Sequence, residues 1–220
     1  MRIEAAFVCV VLAALPARAE GEASPEVKAF LQGWGEAMAE VESLRVRFTQ
    51  TKTLRLLKKP RVSQGLTVLR GRRLHMTVTR DGEPEIELAV DAERARLYYP
   101  KRQTVEVFAL DGGPPPESPF PLFSGDVAEL ETTHDLELRD VDGLTELVLV
   151  PRDPESKTQR VVMRFKDYRV VAVEQTTRRG DTVSIQVQEF AVNAEVTDAE
   201  LELDLPADVK VVDGVRGGAR

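Results

Sequence analysis

The stretch Arg73-Leu74-His75-Met76-Thr77-Val78-Thr79-Arg80-Asp81-Gly82-Glu83-Pro84-Glu85-Ile86-Glu87-Leu88-Ala89-Val90 decides how this chain folds. Leu74, Met76 and Val78 alternate with His75, Thr77 and Thr79, and Ile86, Leu88 and Val90 repeat the same period of two. That period puts alternate side chains on opposite faces of a strand. Asp81-Gly82, between the two runs, is a dipeptide that favours the positive φ of a two-residue hairpin. An antiparallel hairpin with one apolar and one polar face follows.

The rhythm extends in both directions, from Leu44 to Leu205. Upstream are Leu44, Val46 and Phe48, then Leu66 and Val68 in phase with Arg70. Downstream are Leu97 and Tyr99, Val105 and Val107, Leu136 and Leu138, and Leu144 to Val150. Val161, Met163 and Phe165, Val171 and Val173, Val183, Ile185 and Val187, and finally Leu201, Leu203 and Leu205 complete the series. Turn signals at Pro100–Arg102, Pro151–Pro154 and Arg179–Asp181, with a basic loop at Lys58–Arg61, separate the runs. About ten or eleven antiparallel strands in a single domain are expected.

Two segments break the pattern. Residues 25 to about 43 carry Val27, Phe30, Leu31, Trp34, Met38 and Val41 at three- and four-residue steps, an amphipathic helix with Ser24 as N-cap and Pro25 at its first position. Gly33 and Gly35 weaken it beside Trp34, which suits a movable cover. In the middle, Asp111–Pro116 cannot be regular structure, and the cluster Phe120-Pro121-Leu122-Phe123 needs an apolar surface to sit against, as a second piece of lid would.

Residues 1–19 read as a secretory signal: a basic start, an apolar run from Ala5 to Leu15, and Ala17-Arg18-Ala19 before the cut. Residues 20–213 form the domain, and the glycine-rich 214–220 a disordered tail. The sole cysteine, Cys9, lies in the signal, so no disulfide or thiolate metal site is expected. The net charge of −7 argues against nucleic acid and against unaided attachment to anionic membrane. No run has the roughly 20 apolar residues of a span, so stable membrane insertion is not expected. With His75 and His134 far apart, and no G-x-S-x-G elbow or phosphate-binding glycine loop, we expect no enzymatic activity, metal or cofactor.

A large sheet with one greasy face and little chain to cover it suits an exported binder of apolar ligands. Its contact surface would comprise Trp34 and Met38 of the helix and Phe48, Val68, Leu74, Met76, Val78, Leu88 and Val90 of the early strands. Leu97, Tyr99, Val105, Val107, Met163 and Phe165 of the later strands would join them, with Phe120, Leu122 and Phe123 of the lid. This requires an inner wall left partly unfilled, with a hollow beneath the Trp34 helix and the Phe120 loop. Arg70 either shares that apolar face, by alternation, or is turned outward by a bulge at Gly71.

Several short elements, in order, resemble the LolA family of periplasmic lipoprotein carriers: Phe48-Thr49-Gln50, Val68-Leu69-Arg70, Leu88-Ala89-Val90-Asp91, Leu97-Tyr98-Tyr99-Pro100, Phe120-Pro121-Leu122-Phe123 and Leu147-Val148-Leu149-Val150-Pro151. The resemblance implies a mainly β fold with a helical lid, an unclosed antiparallel β-barrel of about eleven strands over an apolar cavity. It also implies a monomeric periplasmic protein that takes acylated lipoproteins from an inner-membrane release complex to an outer-membrane acceptor. In the family an arginine before the second strand holds the lid closed, and Arg70 matches that position. The chain departs from the family where Leu69-Arg70-Gly71 replaces Lys-Arg-Pro and where Leu74, His75 and Met76 replace aromatic residues. Another acylated lipid as cargo, a sensor of such lipids, or a non-carrier envelope protein whose own helix fills the wall are the alternatives.

Overall fold

The computed structural model describes residues 23–110 and 128–214. The segment expected to be a signal, Phe120, Leu122, Phe123 and the tail beyond Gly214 lie outside the described residues. Helix α1 (Pro25–Ala39) begins where expected: the Ser24 hydroxyl accepts a hydrogen bond from the Val27 N–H, and Pro25 occupies the first turn. Then come β1 (Ser43–Thr53), β2 (Arg61–Arg70), β3 (Arg73–Arg80), β4 (Glu83–Val90), β5 (Arg94–Tyr99) and β6 (Thr104–Ala109). Helix α2 (Ala128–Thr133) leads into β7 (His134–Val141), β8 (Leu144–Pro151), β9 (Thr158–Lys166), β10 (Arg169–Thr177), β11 (Thr182–Val192) and β12 (Lys210–Asp213).

The twelve strands among the described residues make one sheet in the order β12-β6-β5-β4-β3-β2-β1-β11-β10-β9-β8-β7. It consists of two meanders, β1–β6 and β7–β11, joined by the antiparallel β1–β11 ladder. β12 and β7 stand at its two ends and do not pair, so the barrel is unclosed. The expected architecture is present, with one strand more than the family resemblance implies.

The end of the chain corrects one expectation. Leu201, Leu203 and Leu205 do not form a strand. Residues Ala199–Leu201 make a single 3-10 turn in an irregular strap, and β12 then pairs parallel, not antiparallel, with β6. Leu201 is buried with Val68 and Val196, so its burial comes from lying across the sheet rather than from pairing within it.

Register fixes which side chains share the inner face. One row crosses six strands: Leu44, Leu69, Leu74, Val90, Ala95 and Phe108 are successive cross-strand partners. In the second meander Ile185, Val173, Met163, Leu147 and Leu138 form a matching row. All of these but the half-buried Leu138 are buried, and together they build the core beneath α1.

Candidate functional site

The inner face is an apolar wall with α1 laid on it. Val27, Leu31 and Trp34 are the buried residues of the helix, one stripe at steps of four and three. Trp34 meets Phe165 of β9 edge-to-face at 5.1 Å between centroids, and Phe30 meets the same ring at 5.0 Å. Tyr168, in the β9–β10 turn, stacks on Phe30 at 5.4 Å. Its φ of 60° is unusual for a bulky residue, and that strained backbone sets the ring on the helix. A Cβ at Gly33 would come within 2.6 Å of the Tyr168 hydroxyl. The glycine that seemed to thin the helix for a ligand instead makes room for a tyrosine.

Nine residues expected from the sequence share this core and are buried: Trp34, Phe48, Leu74, Met76, Val78, Leu88, Val90, Met163 and Phe165. Met38 and Leu97 pack against it half-buried, as do Phe30, Val41 and Ile86. Tyr99 is in phase with Leu97 and half-buried. Trp34 is 1% exposed and in ring contact with the wall, so the helix covers this part of it.

Three residues fall on the other face. Val68 is buried with Val196 and Leu201 of the strap. Val105 and Val107 are partners of Tyr98 and Arg96, one step out of phase with Leu97. The inner-face residue of β6 is Phe108. Leu44, Val46, Leu69, Phe108, Leu147 and Leu149 are among the further wall residues that the expected contact surface lacked.

Arg70 also lies on the outer face, in step with Leu66 and Val68. Its guanidinium donates to the Val196 carbonyl at 2.6 Å and pairs with the Asp198 carboxylate. Gly71 does follow it with φ of 58°, as the turn residue of β2–β3 rather than as a bulge. Its partners are on the strap, and α1 is on the opposite face. Arg73 pairs with the same Asp198 at 2.7 Å, and Arg45 with Glu200 at 2.6 Å. His75 lies 2.8 Å from the Glu200 carbonyl through Nδ1, which therefore donates, and its Nε2 faces Glu87 at 3.4 Å. Four side chains from β1, β2 and β3 thus pin residues 196–202. A cavity of about 360 Å³ beside the strap is lined by Arg73, Asp91, Arg96 and Glu202 among others, a polar surround unsuited to an acyl chain.

The clamp gives a pH prediction. The Thr197 N–H, the Arg45 guanidinium and the Thr197 hydroxyl hold the Glu200 carboxyl down from 4.5 to about 2. A depressed folded-state value stabilises the strap above the ordinary carboxylate range and loses that contribution as pH falls through about 2. Protection of the 193–204 amides, measured against their intrinsic exchange rate at each pH, should therefore fall as pH drops below 4.5. Glu200→Gln should raise exchange at neutral pH and flatten this acid dependence; an unchanged profile would refute the clamp.

The family described as outer membrane lipoprotein carrier protein LolA matches residues 39–204. An outer-membrane lipoprotein carrier protein of Chromohalobacter salexigens is 23% identical over 146 residues, which is 63% of this chain and 69% of that protein. An uncharacterized conserved protein of Thermus thermophilus superposes with a TM-score of 0.53 at 13% identity, over 86% of this chain and 99% of its own. A LolA superfamily protein of Nitrosomonas europaea gives a TM-score of 0.46 at 9% identity, over 80% of this chain and 97% of its own. The Thermus likeness establishes the fold alone.

Proposed function

The chain belongs to the LolA family of outer membrane lipoprotein carrier proteins, and on that premise we propose that it binds the acyl chains of lipoproteins against its inner wall and carries them through the periplasm from inner to outer membrane. The observation that supports this most is the thinness of the cover. One helix lies over the wall among the described residues, and three of its residues are fully buried. Burying Val27, Leu31 and Trp34 contributes on the order of 5–9 kcal/mol. An acyl chain gains about 0.8 kcal/mol per CH₂, so a chain of about 16 carbons gains roughly 12 kcal/mol. Exchange of helix for acyl chain is therefore favourable without rebuilding the sheet.

A second feature agrees. The Thr67 hydroxyl, fully buried on the inner face between Val46 and Met76, has no hydrogen-bond partner among the described residues. An orphan hydroxyl is costly in a finished core. The ester carbonyl of an acyl ligand would satisfy it. Against the proposal stands the non-carrier alternative, which the complete burial of Trp34 and Phe165 favours.

Fluorescent triacylated lipopeptide, titrated into the purified chain from residue 20 onward, separates the two. Saturable binding at one lipopeptide per protein, with no binding of the same peptide lacking its acyl chains, is the expected outcome. Failure to bind the acylated form, or equal binding of both, would overturn the carrier.

A further inference from the structure

Between Ser43 and Arg80 the chain carries eleven basic residues and no carboxylate, in a protein of net charge −7. Five of the eleven meet carboxylates from elsewhere: Arg45, Arg47, Arg70, Arg73 and Arg80. Five of the other six, Lys52, Arg55, Lys58, Lys59 and Arg61, cluster at the tip of the β1–β2 hairpin. Lys52, Lys58, Lys59 and Arg61 form no ion pair among the described residues. The whole-chain charge, which argues against attachment to anionic membrane, averages this concentration away.

The same tip carries exposed apolar surface. Leu56 is 97% exposed and Leu57 38%, the first being the most exposed large apolar side chain described. Scattered exposed leucines are ordinary, but two adjacent ones ringed by unpaired cations are not.

The tip is also held in place. The Leu57 N–H donates to the Leu54 carbonyl at 2.9 Å, closing a turn. The Arg55 N–H donates to Asp181 at 2.8 Å, and its guanidinium to the Arg179 carbonyl at 3.1 Å, across the β10–β11 turn. That turn adds the exposed Arg178 and Arg179, and its carboxylate, Asp181, is engaged by the Arg55 N–H. Acids at this end of the sheet include Glu85, which accepts from the Ser63 hydroxyl at 3.4 Å and is paired with Arg80, and Asp153 and Glu155 of the β8–β9 turn, which meets Arg178 through the Lys157 carbonyl.

We propose that the Leu54–Arg61 tip docks the protein reversibly on an anionic membrane surface. Leu56 and Leu57 enter the headgroup layer while Lys58, Lys59, Arg61 and Arg179 meet lipid phosphates. A convex tip suits a soft headgroup layer better than a protein surface, which would need a matching socket. Unpaired cations beside an exposed apolar pair are the combination that interfacial attachment uses. This proposal goes beyond the carrier reading and stands without it, because docking involves no acyl cargo.

The test uses lipopeptide-free vesicles of phosphatidylcholine, alone or with about one quarter phosphatidylglycerol, and co-sedimentation of the purified protein. Binding is expected to the anionic vesicles, weakened by high salt, and not to the neutral ones. Lys58→Glu with Lys59→Glu should weaken it by more than about tenfold, and Leu56→Ser by on the order of tenfold. Leu56→Trp should show a blue shift with anionic vesicles that the buried Trp34 of the wild type does not. No binding by the wild type, variants that bind like it, or an unshifted Leu56→Trp would each overturn the proposal. None of these outcomes bears on the lipopeptide titration.

Discussion

Trp34→Ala should lower the stability of the folded chain by about 3–5 kcal/mol, the range for losing a fully buried large aromatic. Trp34 is 1% exposed, wedged edge-on against Phe165, and it is the largest side chain that α1 contributes to the core. Val27, Leu31 and the Phe30 ring contacts hold the rest of the helix. Gly33 and Gly35 flank the tryptophan and weaken the helix by roughly 1 kcal/mol each relative to alanine. Chemical denaturation reads the loss directly. The same variant should bind an environment-sensitive apolar dye at neutral pH, because the wall loses its main cover while the sheet ladders remain. If the carrier proposal holds, its affinity for acylated lipopeptide should match or exceed the wild type's, since the ligand no longer displaces a docked helix. A stability change under about 1 kcal/mol would mean that α1 is not part of the core.

The second large effect lies in the middle of the sheet. Gly65 of β2 faces Phe48 of β1 across the ladder, and the Phe48 ring lies over the glycine. A Cβ built there would sit 2.0 Å from the ring's Cζ and 2.3 and 2.5 Å from its two Cε atoms. The ring is 1% exposed and cannot swing to solvent without leaving the core. Gly65→Ala should therefore cost about 1–3 kcal/mol by overpacking, and Gly65→Val more. Combining Gly65→Ala with Phe48→Leu should recover part of that loss, a coupling that a double-mutant cycle reads. Additive losses in the double variant would show that the two sites do not compete for the same space.

These two positions also show where the sequence could be read and where it could not. The Trp34 stripe was legible because a helix over a sheet buries one face and leaves the other in water. The hairpin at Asp81-Gly82 was legible for the same reason, since β3 keeps a clean alternation and Leu74, Met76 and Val78 pair with Val90, Leu88 and Ile86 on the same face. β2 was misread because both of its faces are covered. Leu66 and Val68 lie under the strap while Thr67 and Leu69 lie on the inner wall, so Leu66-Thr67-Val68-Leu69 carries no clean period of two. The same ambiguity left both faces open for Arg70, because a one-residue shift exchanges the two faces. β6 failed likewise: Val105 is buried on the outer face, and Phe108 alone marks the inner one with its bulk. The strap was invisible, since three alternating leucines at 201, 203 and 205 imitate a strand. The signal that could have exposed it is electrostatic: a segment rich in acids near Asp198–Glu202 and arginines that no neighbour in sequence neutralises.

The β1–β11 ladder has a bearing on how the molecule reaches its folded form. Residues 43–53 must find residues 182–192 to join the two meanders, so the ladder at the centre of the sheet is also the one that spans the most sequence. Pairings that close such long loops slow folding. A growing polypeptide that lacks its last forty or so residues holds two incomplete half-sheets, each with a raw edge, and cannot lock. This late-closing seam keeps the polypeptide pliable until nearly all of it has been made.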